Sequence, residues 1–420
     1  MTRRVLLAGA AGFGLGAAPA RAPAPASGPP LTFGALFPFT GDAALLGDEA
    51  FRGLALAVEA LNSAGGLDRR KVVLKQSDAR NPSLAASAAK ALIEREKVSA
   101  IFGTGTTAMA LTASAASALA NVPYFELTAT GSAVTGRGLP SVFRSCSEVH
   151  ALGALSVAGI ADVLAPLWQR ELRSLRVAVL AVREELGLAI SEAQAAACKS
   201  RGLAIAQTLT YPPGTGDFMP LIRALKGARI EVVLHSGLSN DIVLFYRGMA
   251  EAAWQPRMVI GSGPSYAMAD TRAAVGPGLD GTLIADFPPY AINPHAAPGV
   301  TAVGIAYQTK YGAAPRSGLS LAAYVGAGFF FAAIAKAGGT DLVKLRTALL
   351  TNNVACEKTA NGWGAEFDVS GQNRRACPVL AQWQNGGAAA VFPRKFAAAM
   401  VAPDLRPLPV RAKRVPKKGS

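Results

Sequence analysis

Histidine is the scarcest chemically versatile residue in this 420-residue chain: there are three, His150, His235 and His295, far apart from one another. Cysteine is nearly as rare, at four, and no pair has CxxC spacing. A His/Cys metal centre therefore has no support, and no metal or cofactor is expected. No G-x-S-x-G elbow stands between a strand-like and a helix-like run, and no Ser/His/Asp set suggests itself. The segment SGLSND (236–241) holds Ser, Asn and Asp but no neighbouring base. A secreted hydrolase is disfavoured, and the chain is expected not to be an enzyme.

Acids are also few, 27 against 42 Lys and Arg, for a net charge of +15. The excess is concentrated at the ends, which carry no acid. Arg3, Arg4 and Arg21 lie at one end, and Arg406, Arg411, Lys413, Arg414, Lys417 and Lys418 at the other; without them 33 basic residues face 27 acidic ones. That balance is ordinary for a soluble domain, so no nucleic-acid partner is expected. The start, MTRRVLL, a short apolar run from Val5 to Ala18 and Pro19-Ala20-Arg21-Ala22 read as a secretory signal peptide. Thr2-Arg3-Arg4-Val5-Leu6 also resembles a twin-arginine signal. With the Pro/Ala lead-in, 1–30 stands outside the fold, and a periplasmic location is expected. Export permits disulfides. Cys356 and Cys377, which flank one short segment, are the expected pair, and Cys146 and Cys198 stay open.

What is present is an alternation. Strand-like runs at 31–40, 71–78, 98–103, 122–127, 176–182, 203–211, 230–237 and 257–263 are interleaved with helix-like runs. Near-continuous apolar strands between helices predict parallel sheets covered on both faces. Two such series predict two α/β domains, with breaks near Arg144-Ser145-Cys146 and Gly278-Leu279-Asp280-Gly281. The apolar run at 319–339 is near the lower limit for a membrane span, but its small residues, Ser320 and its place in the alternation favour a buried core helix.

One strand end stands out. The run Ala100-Ile101-Phe102 stops in Gly103-Thr104-Gly105-Thr106-Thr107 before a helix-like segment. Glycines let backbone approach a ligand closely, and the amides and dipole of a helix start favour an anion. The alternative is that the hydroxyls only cap the helix.

Pro38-x-Thr40-Gly41, Gly47, Asn62 with Gly65-Gly66, and a strand ending at Asp78 before Pro82 come in one order. AIFGTGTTA, VPYFELTATGSAVT, GLDGTLIADFPPY and YQTKYGAAP follow. Over roughly 31–385 this order resembles the leucine/isoleucine/valine-binding protein family, the periplasmic solute receptors of ABC importers. The resemblance implies an α/β fold: two doubly wound parallel-sheet lobes joined by a three-crossover hinge, a type I periplasmic binding protein. Lobe 1 would be 31–144 plus 282–354, lobe 2 would be 145–281 plus 355–404, and 405–420 a basic tail. It further implies a small carboxylate-bearing solute (amino acid, other organic acid or amide) held between the lobes, ABC permease subunits as partners, and a monomer.

Residue by residue, Thr107 falls where the family has a hydroxyl on the ligand carboxylate, with Thr106 beside it. Thr128 and Thr130 match the second ligand loop. Leu46, Leu186 and Leu238 stand where aromatics often surround the solute. Where the family carries the acid that neutralises a ligand ammonium, this chain reads Ser262-Gly263-Pro264-Ser265. Asp241 or Asp286 could substitute, and Tyr266 and Tyr290 could line the pocket. The alternative function is a ligand-sensing regulatory protein of the same fold.

Overall fold

The computed structural model describes residues 28–408. The expected signal peptide and most of the basic tail lie outside the described residues. The chain forms two compact units: the first holds residues up to Ser147 and Pro288–Cys377, the second Glu148–Phe287 and the chain from Pro378. It therefore passes between the units three times.

The first unit is built on a five-stranded sheet in the order β2-β1-β3-β4-β5. Its strands are β1 (Leu31–Phe37), β2 (Val72–Asp78), β3 (Ile101–Gly103), β4 (Tyr124–Glu126) and β5 (Val142–Arg144), all parallel. Helices α1 (Ala44–Ser63), α2 (Pro82–Glu94) and α3 (Thr107–Leu119) supply the crossovers. The Pro-first start of α2 is as the sequence suggests: Asn81 Oδ1 accepts the Leu84 amide at 2.9 Å, and Pro82 fills a position that needs no donor. The apolar run at 319–339 forms the helix Leu319–Ala337, buried along most of its length. Its Phe330 ring stacks on Phe125 of β4 at 4.1 Å, and Phe331 packs on Phe102 of β3 at 5.5 Å. Gly53 of α1 lies so close to this helix that a Cβ would sit 2.0 Å from the Ser320 carbonyl oxygen.

The second unit has a seven-stranded sheet in the order β12-β11-β10-β9-β8-β6-β7. Strands β6 (Val177–Val182), β7 (Ile205–Tyr211), β8 (Val232–Ser236), β9 (Met258–Ser262) and β10 (Leu283–Asp286) are parallel. Strands β11 (Val379–Gln384) and β12 (Gly387–Phe392) are antiparallel additions that the expected all-parallel sheet did not include. They are joined through Asn385 and Gly386, whose φ angles are +51° and +84°. That is the two-residue hairpin turn that Asn-Gly favours.

The unit boundaries depart from the expected ones in two places. The second crossover follows Phe287 rather than 281, because β10 completes the second sheet. Residues 355–377, expected in the second lobe, belong to the first unit. Gln372 and Asn373 tie them there: Arg144 Nε donates to Gln372 Oε1 at 2.6 Å, and Asn373 Nδ2 donates to the Ser145 carbonyl at 3.0 Å. The expected Cys356–Cys377 disulfide is not formed. The Cys356 sulfur faces the Arg375 carbonyl at 3.9 Å, and the Cys377 carbonyl accepts the Trp363 indole N–H at 2.8 Å.

Candidate functional site

In the first unit the loops after β3 and β4 lie at the C-terminal strand ends, where open α/β sheets place their ligands. The glycine-threonine loop after β3 runs into α3, with Gly105 at φ +92°, a backbone state that side-chain-bearing residues rarely adopt. The loop after β4 carries Thr128, Thr130, Gly131 and Ser132.

Two amides of the stretch Gly103 to Thr107, those of Thr104 and Gly105, are taken by the chain's own Glu126. Glu126 Oε2 accepts the Thr104 N–H at 2.6 Å and the Tyr124 hydroxyl at 2.9 Å. Its Oε1 accepts the amides of Gly105, Leu127, Thr128 and Ala129 at 3.2, 3.1, 3.1 and 2.9 Å. Burial pushes the Glu126 pKa up, and the amides of Ala129, Thr128 and Thr104 only partly pull it back. The sequence reading missed this residue, because a Glu in an apolar strand end carries no motif of its own.

The threonines take different places. Thr107 Oγ1 accepts the Gly131 N–H at 3.2 Å, which pins the two loops together and leaves the hydroxyl proton to be donated elsewhere. A side chain at Gly131 would not fit, since its Cβ would lie 2.3 Å from Thr107 Cγ2. Thr106, at the N-cap of α3, makes no side-chain capping bond. The hydroxyl oxygens of Thr106, Thr128 and Ser132 are all buried and unpartnered in the described structure. Thr130 is buried as well, and Leu46 is half-buried in the first turn of α1. The early Pro38-x-Thr40-Gly41 and Asp78 motif is a loop brace: Asp78 accepts the Phe39 amide at 2.8 Å and the Thr40 hydroxyl at 2.5 Å.

In the second unit Leu186 and Leu238 are half-buried at the starts of the helices after β6 and β8. Asp241 caps the second of these, accepting the Leu238 amide at 3.0 Å and the Tyr211 hydroxyl at 3.3 Å. Its carboxylate is thus already bonded within the unit. Tyr266 does not line a pocket but is a core residue: it is fully buried, its hydroxyl is 2.5 Å from His235 Nδ1, and its ring covers Gly261. Burial lowers the His235 pKa to about 3, which keeps the ring neutral. Ser262, where an acid would stand, accepts from Gln194 Nε2 at 3.1 Å. Asp286, one residue past the Ala285–Ser262 register pair, keeps a buried carboxylate oxygen unpartnered, and burial raises its pKa to about 7. Tyr290 belongs to the first unit and bonds Ser320 at 3.0 Å.

Two α/β units with loops at their C-terminal strand ends are a fold that places ligands at those loops. The comparisons with known proteins agree: the model of the periplasmic binding protein family matches residues 30–388, and the chain belongs to that family. A Leu/Ile/Val-binding protein homolog 7 of Brucella abortus is 36% identical over 394 residues, covering 94% of this chain and 97% of that protein. The branched-chain amino acid transporter substrate-binding protein LivJ of Streptococcus pneumoniae, solved with isoleucine, superposes with a TM-score of 0.73 at 19% identity, covering 86% and 98% of the two chains. A solute-binding protein of an ABC transporter from R. palustris, solved with benzoate, superposes with a TM-score of 0.70 at 19% identity, covering 89% and 98%. At those identities the two structures establish the fold alone. The family is one of binding proteins, not enzymes, and membership implies a periplasmic location.

Proposed function

We propose that this chain is the solute receptor of an ABC importer and captures a small organic carboxylate, amino acid or otherwise, on the strand-end loops of the first unit. The observation that carries the reading is the set of buried, unpartnered hydroxyl oxygens of Thr106, Thr128 and Ser132 beside the start of α3. A buried hydroxyl without a partner is costly, and a bound carboxylate relieves that cost by accepting from it. Thr107 adds a proton to donate, and the α3 N-terminus adds a favourable field. Thr130 and Leu46 are the further contacts of the first unit in this reading. With Asp241 used as a helix cap and no acid at Ser262–Ser265, Asp286 is the candidate ammonium partner that keeps an open oxygen, and non-amino carboxylates are candidates alongside isoleucine. The receptor works as a monomer that delivers solute to permease subunits, and residues 1–30 are its export signal and Pro/Ala lead-in.

Calorimetric titration of the mature, solute-stripped chain with L-isoleucine, L-leucine, benzoate, 4-hydroxybenzoate and acetamide tests the reading. Binding of a carboxylate that is lost in Thr106→Val/Thr128→Val supports it. Binding that is confined to acetamide, or that survives the double substitution, refutes it.

A further inference from the structure

Glu126 and Arg144 are register partners on β4 and β5, and both are fully buried. Together they take up the backbone of the loop after β4. Its donors, the amides of Leu127, Thr128 and Ala129, converge on Glu126 Oε1. Its acceptors, the carbonyls of Ala129 and Gly131, accept from Arg144 Nη1 at 3.3 and 2.6 Å. Consecutive N–H groups turned toward one oxygen make an anion nest, and bonds to a charged partner are the strong ones. The same carboxylate reaches the loop after β3 through Thr104 and Gly105. A residue that gathers five amides from two loops does more than fill space.

We propose that Glu126 is the positioning residue of the strand-end site: it is the resident anion of the amide cup and clamps the loops after β3 and β4 together. A solute carboxylate then cannot enter the cup. It meets the hydroxyls of Thr106, Thr128 and Ser132 instead, on loops already held in place. This last step rests on the proposed function, whereas the clamp itself can be tested with no solute present. Preorganised loops lose less freedom when a ligand arrives.

The test uses the mature full chain, Glu126→Ala and Glu126→Gln, followed by hydrogen–deuterium exchange and thermal melting, with sodium formate as the probe and sodium chloride as the control. In Glu126→Ala, peptides covering 101–107 and 127–132 are expected to exchange about tenfold faster or more, as their charge-assisted bonds are lost. Peptides of the second unit are expected to keep the wild-type rate. Formate at about 50 mM should occupy the vacated nest, slow those peptides again and raise the melting temperature by mass action. Chloride should do neither, and wild type, whose nest Glu126 already fills, should respond to formate less than Glu126→Ala does. Glu126→Gln keeps the volume but turns an amide donor toward the nest, so the same peptides should loosen without formate rescue. The proposal is overturned if Glu126→Gln exchanges like wild type, if loosening is uniform across both units, or if chloride rescues as well as formate. Should Glu126→Ala fail to fold, the Glu126→Gln exchange map decides alone. Solute titration of wild type is a separate measurement, so failure of the solute reading would leave the clamp result intact.

Discussion

Replacing Thr128 by Val exchanges one hydroxyl for a methyl of similar shape, at a site where the consequences for stability and for binding have opposite signs. Thr128 is 4% exposed and its oxygen has no partner in the described structure. Its hydroxyl is therefore buried at a cost of about 1–3 kcal/mol that nothing in the unliganded chain returns. Removing it should leave stability unchanged or raise it by about 1 kcal/mol, a shift of about 2–4 °C or less in melting temperature. In the complex the hydroxyl donates to an anionic oxygen, a bond worth about 1.5–3 kcal/mol. Affinity should fall roughly 10- to 150-fold. Differential scanning fluorimetry reads the first quantity, and calorimetric titration with the tightest carboxylate of the panel reads the second. A variant that melts several degrees lower yet binds as tightly as wild type would mean that the hydroxyl bonds within the protein, and the reasoning would fail.

Three further outcomes can be checked. Burial raises the Asp286 pKa to about 7 against about 3.9 in an unfolded chain. Between those values the folded state holds a proton that the unfolded state has released. This contribution is therefore full below pH 4 and falls by at most about 1.4 kcal/mol per pH unit up to neutrality. Asp286→Asn should show a flatter melting profile from pH 5 to 8 than wild type, and parallel profiles would refute the assignment. Gly131→Ala drives a methyl into Thr107 and should cost about 1–3 kcal/mol while weakening solute binding; a wild-type melting temperature would contradict the close contact. All four cysteines should titrate as thiols in denaturant without reductant. In the native chain Cys198, whose thiol burial raises to about 11, should lag behind exposed Cys377; only two thiols in denaturant would restore the disulfide.

Much of this was legible because it depends on local chemistry. Asn81-Pro82 ahead of an apolar-periodic run marks a helix start, and the short apolar runs of β1, β6 and β8 between turn signals fit strands covered on both faces. The Asn385-Gly386 pair carries a hairpin signal of its own, but the sheet its strands join is set by the pairing of β11 with β10, far away in sequence. Tyr266 illustrates the opposite case. Its spacing after β9 suits a pocket wall as well as a core, and the contact with His235, from another strand, settles which.

By itself, then, the order of residues determined the alternating α/β fold, the strands that stop near 103 and 127, and the hydroxyls that follow them, since backbone preference and apolar patterning act over a few residues. The tertiary structure alone decided how those hydroxyls and amides are used. Glu126 reaches the amides of Thr104 and Gly105 only because β3 and β4 are neighbours. Arg144 reaches Gln372, 228 positions away, only because the chain returns to the first unit. Asp241, in the first turn of the helix after β8, is bonded to that helix start, whereas Asp286, at the end of β10, keeps an unpartnered oxygen. A carboxylate's role follows from the donors that surround it, and those donors come from segments that sequence spacing does not relate.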